Sequence, residues 1–285
     1  MGGDEGEGEP IDFVHPTLTL PHRRGREYIE EISKIYGWHL LLTRKPFAPL
    51  PTAARQSMGA RQTRSDTTLI KIYIARHGET AWNVEKRIQG RSDPGLSPKG
   101  VAQSLALIEQ LKDRPISAIY TSMLQRSILT AQPIAKLLNL PIQKQPELDE
   151  MAFGMMEGVQ ISSFNEELIR EWERFKENRF TYHIPGAENY TDVATRLKPF
   201  KEKILRDHTG QEILIIGHMI VNRFLIGMLL EYPLEEIQRM EQHNGFVYLV
   251  ERNGEARVSH FIDGEIREGF IFAPPNDPIE HSRRS

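Results

Sequence analysis

The sequence predicts an α/β fold, a three-layer sandwich whose mostly parallel central sheet carries helices on both faces. Three observations lead there. From Leu69 onward, short β-rich runs alternate with helical patterns, and that alternation builds layers around a parallel sheet. The run Glu212-Ile213-Leu214-Ile215-Ile216 is almost wholly apolar, as a strand covered on both faces must be. Polar clusters also close three of the runs: Arg76-His77, Thr121-Ser122 with Arg126 close behind, and Gly217-His218. Sheets of this kind bind ligands beyond the carboxyl ends of their strands.

The elements follow in order. Leu69 to Ala75 is a β-rich run that stops at Arg76. Ser97 to Lys112 has helical periodicity with Val101, Leu105, Ile108 and Leu111 on one face, a serine cap and a proline in the first turn. Ile116 to Tyr120 reads as a strand, and Leu124 to Leu138 as a helix with a kink or boundary expected at Pro133. Ile161 to Asn178 predicts a helix with Phe164, Leu168, Trp172 and Phe175 on one side. Tyr190 to His208 predicts another, around Pro199, and Met219 to Leu230 a third after the buried strand. Phe246 to Val250 and Ala256 to Phe261 form a hairpin around Asn253-Gly254.

Residues 1–66 have a different texture. Their Gly- and Glu-rich start cannot build a core and reads as a disordered extension. A short amphipathic helix fits around residues 26–36, and a true start of the protein near Met58 or just before the first strand is a second option. Residues 67–272 form the expected domain, and 273–285 read as a polar tail.

Bulk composition narrows the function classes. Of 285 residues, 39% are hydrophobic and 26% charged, proportions of a globular protein. A net charge of −3 argues against nucleic acid as a main partner. Cysteine is absent, so thiolate metal sites and Cys nucleophiles are excluded, and a cytoplasmic setting fits. No apolar run is long enough to span a membrane. The oligomeric state is left open, a homodimer being one option.

The strand-end residues suggest phosphate chemistry. Arginine forks match phosphate oxygens and stay charged. A neutral imidazole can attack phosphorus and carry it covalently, while a second imidazole donates to the phosphoryl oxygens. A carboxylic acid can protonate the leaving oxygen, and Glu147, Asp149, Glu150 and Glu157 are all near in sequence. His77 with Glu79 also resembles half of a metal site, but no third ligand stands at suitable spacing. His243-Asn244 could reach the pocket. His183 and His260 read as surface or structural, and Met155-Met156 as packing or lining the substrate entrance.

These residues fall in a pattern. Arg76-His77-Gly78-Glu79-Thr80 with Trp82-Asn83, then Arg87-Ile88-Gln89-Gly90, Leu96-Ser97-Pro98-Lys99-Gly100, Thr121-Ser122 with Arg126, Leu148-Asp149-Glu150, Pro185-Gly186-Ala187-Glu188 and Ile216-Gly217-His218 resemble the histidine phosphatase superfamily, in its phosphoglycerate-mutase-like branch. The resemblance covers about residues 69–265. Gly95, Ala187 and Asn189 depart from its usual Pro, Gly and Ser without removing a reactive group.

The resemblance implies a phosphohistidine mechanism without cofactor or metal, acting on a small phosphorylated substrate. His77 would be the nucleophile, Arg76, Arg126 and His218 the phosphoryl ligands, and Glu150 the proton donor. Asn83, Arg87, Gln89, Gly90 and Met219 would line the substrate side. Glu150 and His218 are 68 residues apart. Cofactor-dependent mutases carry a longer insertion there, so a phosphatase is expected, with a mutase or a non-catalytic phospho-ligand binder as alternatives.

Overall fold

The computed structural model describes residues 68–262 and 265–272. The extension 1–66 with its helix near 26–36, and the tail 273–285, lie outside the described residues. The strands are β1 (Ile70–Arg76), β2 (Ile116–Thr121), β3 (Ile142–Lys144), β4 (Glu212–Gly217), β5 (Val247–Arg252), β6 (Ala256–Ile262) and β7 (Glu265–Glu268). They form one sheet in the order β3-β2-β4-β1-β5-β6-β7. The central pairs β2·β4 and β4·β1 are parallel, as is β3 beside β2, and β5 to β7 add an antiparallel flank.

Register decides where the site lies. Arg76 pairs with Gly217 across β1 and β4, and Thr121 pairs with Ile216 across β2 and β4. All three polar strand ends therefore emerge at one edge of the sheet. His77 extends the ladder by one step, its N–H donating to Gly217 O at 3.0 Å.

Strand alternation divides the core into two layers. Ile72, Ile74, Ile213 and Ile215 face one side. There they meet α4 (Glu166–Glu177), α5 (Tyr190–Asp207) and α6 (Met219–Leu230) through Phe175, Phe200 and Phe224. Tyr73, Ala75, Leu214 and Ile216 face the other. They pack against α2 (Pro98–Leu111) and α3 (Gln125–Leu138) through Leu107, Leu111, Ala131 and Ile134. Two short helices, α1 (Ala81–Val84) and α7 (Leu234–Ile237), complete the described α-helices.

Several expectations need correction. Val101 is about half exposed, and the buried face of α2 runs through Gly100, Ser104, Leu107 and Leu111. Ser104 satisfies itself on Val101 O, so a small polar residue takes the core-facing place that periodicity gave to a valine. The helix expected from Ile161 begins only at Glu166, capped by the Asn165 side chain on Leu168 N; Ile161–Ser163 is a separate 3₁₀ turn. Helix α3 continues through Pro133, where burial of Ala131 and Ile134 offsets the missing N–H. Strand β3 and edge strand β7 were not foreseen, being short and poor in apolar residues.

Glycine is required where the His77 loop crosses α2. A Cβ on Gly100 would stand 2.0 Å from Glu79 O, and one on Gly78 would stand 2.5 Å from Gly100 O. The two backbones touch, and Ser97 bonds Glu79 through both its N–H and its hydroxyl. Gly100→Ala is therefore expected to cost about 1–3 kcal/mol of stability by overpacking. Gly95→Ala, where a Cβ meets nothing within 4 Å, is the control. Denaturant midpoints check the pair, and equal midpoints would contradict the contact.

Candidate active site

His77 is 3% exposed. Its Nδ1 lies 2.7 Å from Gly78 O. A carbonyl can only accept, so Nδ1 carries the hydrogen and Nε2 keeps its lone pair. His218 stands opposite, the two rings 5.0 Å apart between centroids. Its Nε2 is 2.8 Å from Ser122 Oγ, which already accepts from Leu124 N. A serine hydroxyl that donates to Nε2 leaves Nδ1 of His218 as the donor.

Arg126 is wholly buried at the start of α3. It donates from Nη1 to Ser92 O and from Nη2 to Gly90 O, each at 2.6 Å, with Asp93 3.4 Å from Nη1. Asp93 in turn accepts from Gln125 N. The buried side of this arginine thus organises the loop at residues 90–93. Arg76 donates from Nη1 to Gln242 O at 2.9 Å and lies 3.9 Å from Met219 Sδ. Beside His77, three buried nitrogens meet no partner among the described residues: Arg76 Nε, Arg126 Nε and His218 Nδ1. Buried donors are rarely left unmade, and these three belong to groups that interact with one another and with His77.

Electrostatics follow from burial. Desolvation pulls both imidazoles well below the usual histidine range, and the Arg126 and Arg76 charges push His77 the same way. Both rings are neutral at physiological pH. Burial also lowers Arg76 to about 10, opposed by Glu150. Glu150 is 8% exposed and accepts from Met151 N at 2.9 Å and Ile220 N at 3.4 Å. Among the carboxylates it acts most strongly on both Arg76 and Arg126. Its rivals have other partners. Glu157 takes the backbone N–H groups of Arg91, Ser92 and Phe153, and Asp149 takes Met123 N at 2.7 Å.

The substrate-side residues are more varied. Asn83 caps α1 with Thr80, and Gln89 meets the Thr80 hydroxyl at 2.9 Å. Gly90, at φ +52°, has no room for a side chain against Glu157. Met219 touches Arg76. Arg87 bonds Glu85 and Gly158 O, which ties it to the loop wall. Asn244 donates to His77 O at 2.9 Å, whereas the His243 side chain is 79% exposed and pairs with Glu241. His183 is exposed against Asp192, and His260 is buried against Gly269 O. Met156 is buried and Met155 exposed.

Sequence reasoning missed Asn222 and Gln242. Asn222 Nδ2 bridges Ala75 O and Gln242 Oε1, and Gln242 reaches Ile74 O, bracing the strand end that carries Arg76. A polar pair, Asn222-Arg223, in an otherwise apolar helix and starting four places after His218 was the available signal. Among the described residues no group of three or more His, Asp or Glu side chains could hold a metal, and no helix is long and apolar enough to cross a membrane.

The chain is similar to several known proteins. The profile of the histidine phosphatase superfamily (branch 1) matches residues 72–263. Phosphoserine phosphatase 1 of Hydrogenobacter thermophilus is 30% identical over 59% of this chain and 80% of its own length. A Photorhabdus laumondii protein named "Probable phosphoglycerate mutase GpmB" is 30% identical over 62% of this chain and 82% of its own. The fold is similar to that of the alpha-ribazole phosphatase from Shigella flexneri, with TM-score 0.62 and 24% identity over 72% of this chain and all of the other. It is also similar to Bacillus stearothermophilus YhfR, with TM-score 0.58 and 27% identity over 70% of this chain and 96% of the other.

The two buried neutral histidines make stability depend on pH. Unfolded histidines take up protons below about pH 6.5, while His77 and His218 resist protonation in the fold. The unfolded state therefore binds more protons, and stability falls as pH drops below that value. Each histidine contributes at most about 1.4 kcal/mol per pH unit. Denaturation midpoints between pH 7.5 and 5.5 are expected to fall, and to fall less in His77→Asn. Equal slopes would contradict the neutral buried imidazole.

Proposed function

Because this chain belongs to the histidine phosphatase superfamily, branch 1, we propose that it is a metal-independent phosphomonoester hydrolase working through a phosphohistidine on His77. The observation that carries the reading is the trio of unpartnered buried nitrogens, Arg76 Nε, Arg126 Nε and His218 Nδ1, beside a histidine whose Nε2 lone pair is free. A phosphoryl group supplies the acceptors these donors lack. The phosphatase relatives point the same way.

His77 Nε2 attacks phosphorus and the bond to the ester oxygen breaks. Arg76, Arg126 and His218 hold the phosphoryl oxygens as charge redistributes. Glu150 gives its proton to the departing oxygen. The resulting carboxylate then takes a proton from water, whose oxygen attacks phosphorus, and phosphate leaves with His77 neutral again. Gly78 O holds the His77 tautomer throughout. Asn83, Gln89, Gly90, Arg87 and Met219 form the surrounding wall. Phe153, Phe164 and Trp172 pack as one aromatic group.

A mutase is the second reading, favoured by the name of the Photorhabdus relative. In it phospho-His77 would return the group to another hydroxyl.

A panel of phosphate esters separates these outcomes. Wild type is expected to release phosphate in the presence of a chelator and to be inhibited by vanadate. His77→Ala should lose at least about a thousandfold in kcat/KM. Equal release from both proteins would overturn the nucleophile assignment. Phosphoglycerate isomerisation that needs a bisphosphate primer and outruns hydrolysis would establish the mutase.

A further inference from the structure

Glu150, the proposed proton donor, lies in a stretch with no regular structure of its own. It falls between two 3₁₀ turns, Pro146–Leu148 and Gly154–Met156. No described helix or strand holds its backbone, so the peptide groups around it need partners from elsewhere. One pair of side chains supplies them. Arg196, on α5, donates from Nη1 to Glu147 O and from Nη2 to Asp149 O, the latter at 2.7 Å. Glu188, just before α5, accepts from Ala152 N at 3.0 Å, and its own N–H donates to Ala152 O at 3.0 Å. The two side chains also bind each other, Arg196 Nε to Glu188 Oε1 at 2.8 Å and Nη2 to Oε2 at 3.2 Å. Two carbonyls before Glu150 and one peptide after it are thus gripped by a single bidentate ion pair.

Each side chain of the pair is 17% exposed. An ion pair withdrawn from water is favourable only when its remaining donors and acceptors are satisfied. Arg196 commits all three of its nitrogens, and Glu188 both of its oxygens. A planar guanidinium can hold two carbonyls and a carboxylate at once, which a single ammonium cannot imitate. Arg91 adds a contact from Nη2 to Glu188 Oε1 at 3.2 Å. It comes from the loop whose Gly90 and Ser92 carbonyls hold Arg126. Glu188 therefore ties the segment of the acid to the loop of the phosphate-facing arginine.

We infer that Arg196 and Glu188 are positioning residues for the acid step: they fix the backbone on both sides of Glu150 so that its carboxyl meets the ester oxygen of the leaving group. This rests on the hydrolase reading above and extends it to the supports of the acid. Neither residue takes or gives a proton; both act through Glu150. Proton transfer from a side chain depends on where that side chain stands, and a displacement of about 1 Å can cost on the order of a hundredfold.

The test compares 4-nitrophenyl phosphate with phenyl phosphate on the full chain. The esters are alike in shape, but phenolate is the more basic leaving group and needs the proton more. The readout is the ratio of their kcat/KM values, 4-nitrophenyl over phenyl. It covers the steps up to departure of the leaving group, and a loss common to both esters, such as partial unfolding, cancels. Glu150→Gln sets the reference and should raise the ratio about tenfold or more. Arg196→Met and Glu188→Gln should each raise it at least about fivefold. Arg196→Lys, which keeps a positive charge beside Glu188 but not the fork, should raise it less than Arg196→Met. If Arg196→Met does not fold, Glu188→Gln and Arg196→Lys decide by the same ratio. Ratios that stay at the wild-type value in these variants while Glu150→Gln raises it overturn the positioning role and leave the hydrolase reading standing. If Glu150→Gln leaves the ratio unchanged, the acid assignment fails and takes the positioning role with it. If wild type hydrolyses neither ester, the hydrolase reading fails as a whole, and the positioning role with it.

Discussion

Buried positive charge next to neutral imidazole is the condition around which this structure is organised. Arg126 is wholly enclosed, Arg76 is buried enough to lower its basicity, and both press on His77. One buried carboxylate, Glu150, is the main internal counterweight. Such an arrangement is unfavourable for an empty protein and favourable for one that binds an anion. The surrounding structure therefore has to prevent the arginines from turning outward or collapsing onto nearby acids.

Backbone carbonyls do most of that work. Ser92 O and Gly90 O hold Arg126, and Gln242 O holds Arg76. Carbonyls fix a guanidinium in place without cancelling its charge, which leaves the charge available to a ligand. Glu157, with its bonds to Arg91, Ser92 and Phe153, and Asn222 with Gln242 hold those carbonyls in turn. The contact of Gly78 with Gly100 fixes the His77 loop against α2. Sheet register brings the three strand ends level, so His77, the Thr121-Ser122 end that leads to Arg126, and His218 share one edge.

The candidate reactive groups were more legible in the sequence than their supports. Arg76, His77, Arg126 and His218 were legible because each ends or follows a strand that composition makes plain. Glu150 was one of four nearby acids, and only its burial and its place beside the arginines separate it from Glu157 and Asp149. The α2 face was misread because Ser104 supplies its own hydrogen bond and so can occupy a core position usually reserved for an apolar residue. Asn222 and Gln242 were not singled out, since their significance lies in contacts between elements distant along the chain. Asn189, a departure from the family turn, caps α5 in the place of the usual serine.

The central claim is that His77 accepts the phosphoryl group. Rapid acid-free quenching during turnover of a ³²P-labelled ester, followed by peptide mapping, tests it most directly. A stable label on the peptide containing His77, labile to acid and resistant to base as a phosphoramidate is, should appear in wild type and vanish in His77→Ala. Turnover with no such label, or label on another residue, would contradict it.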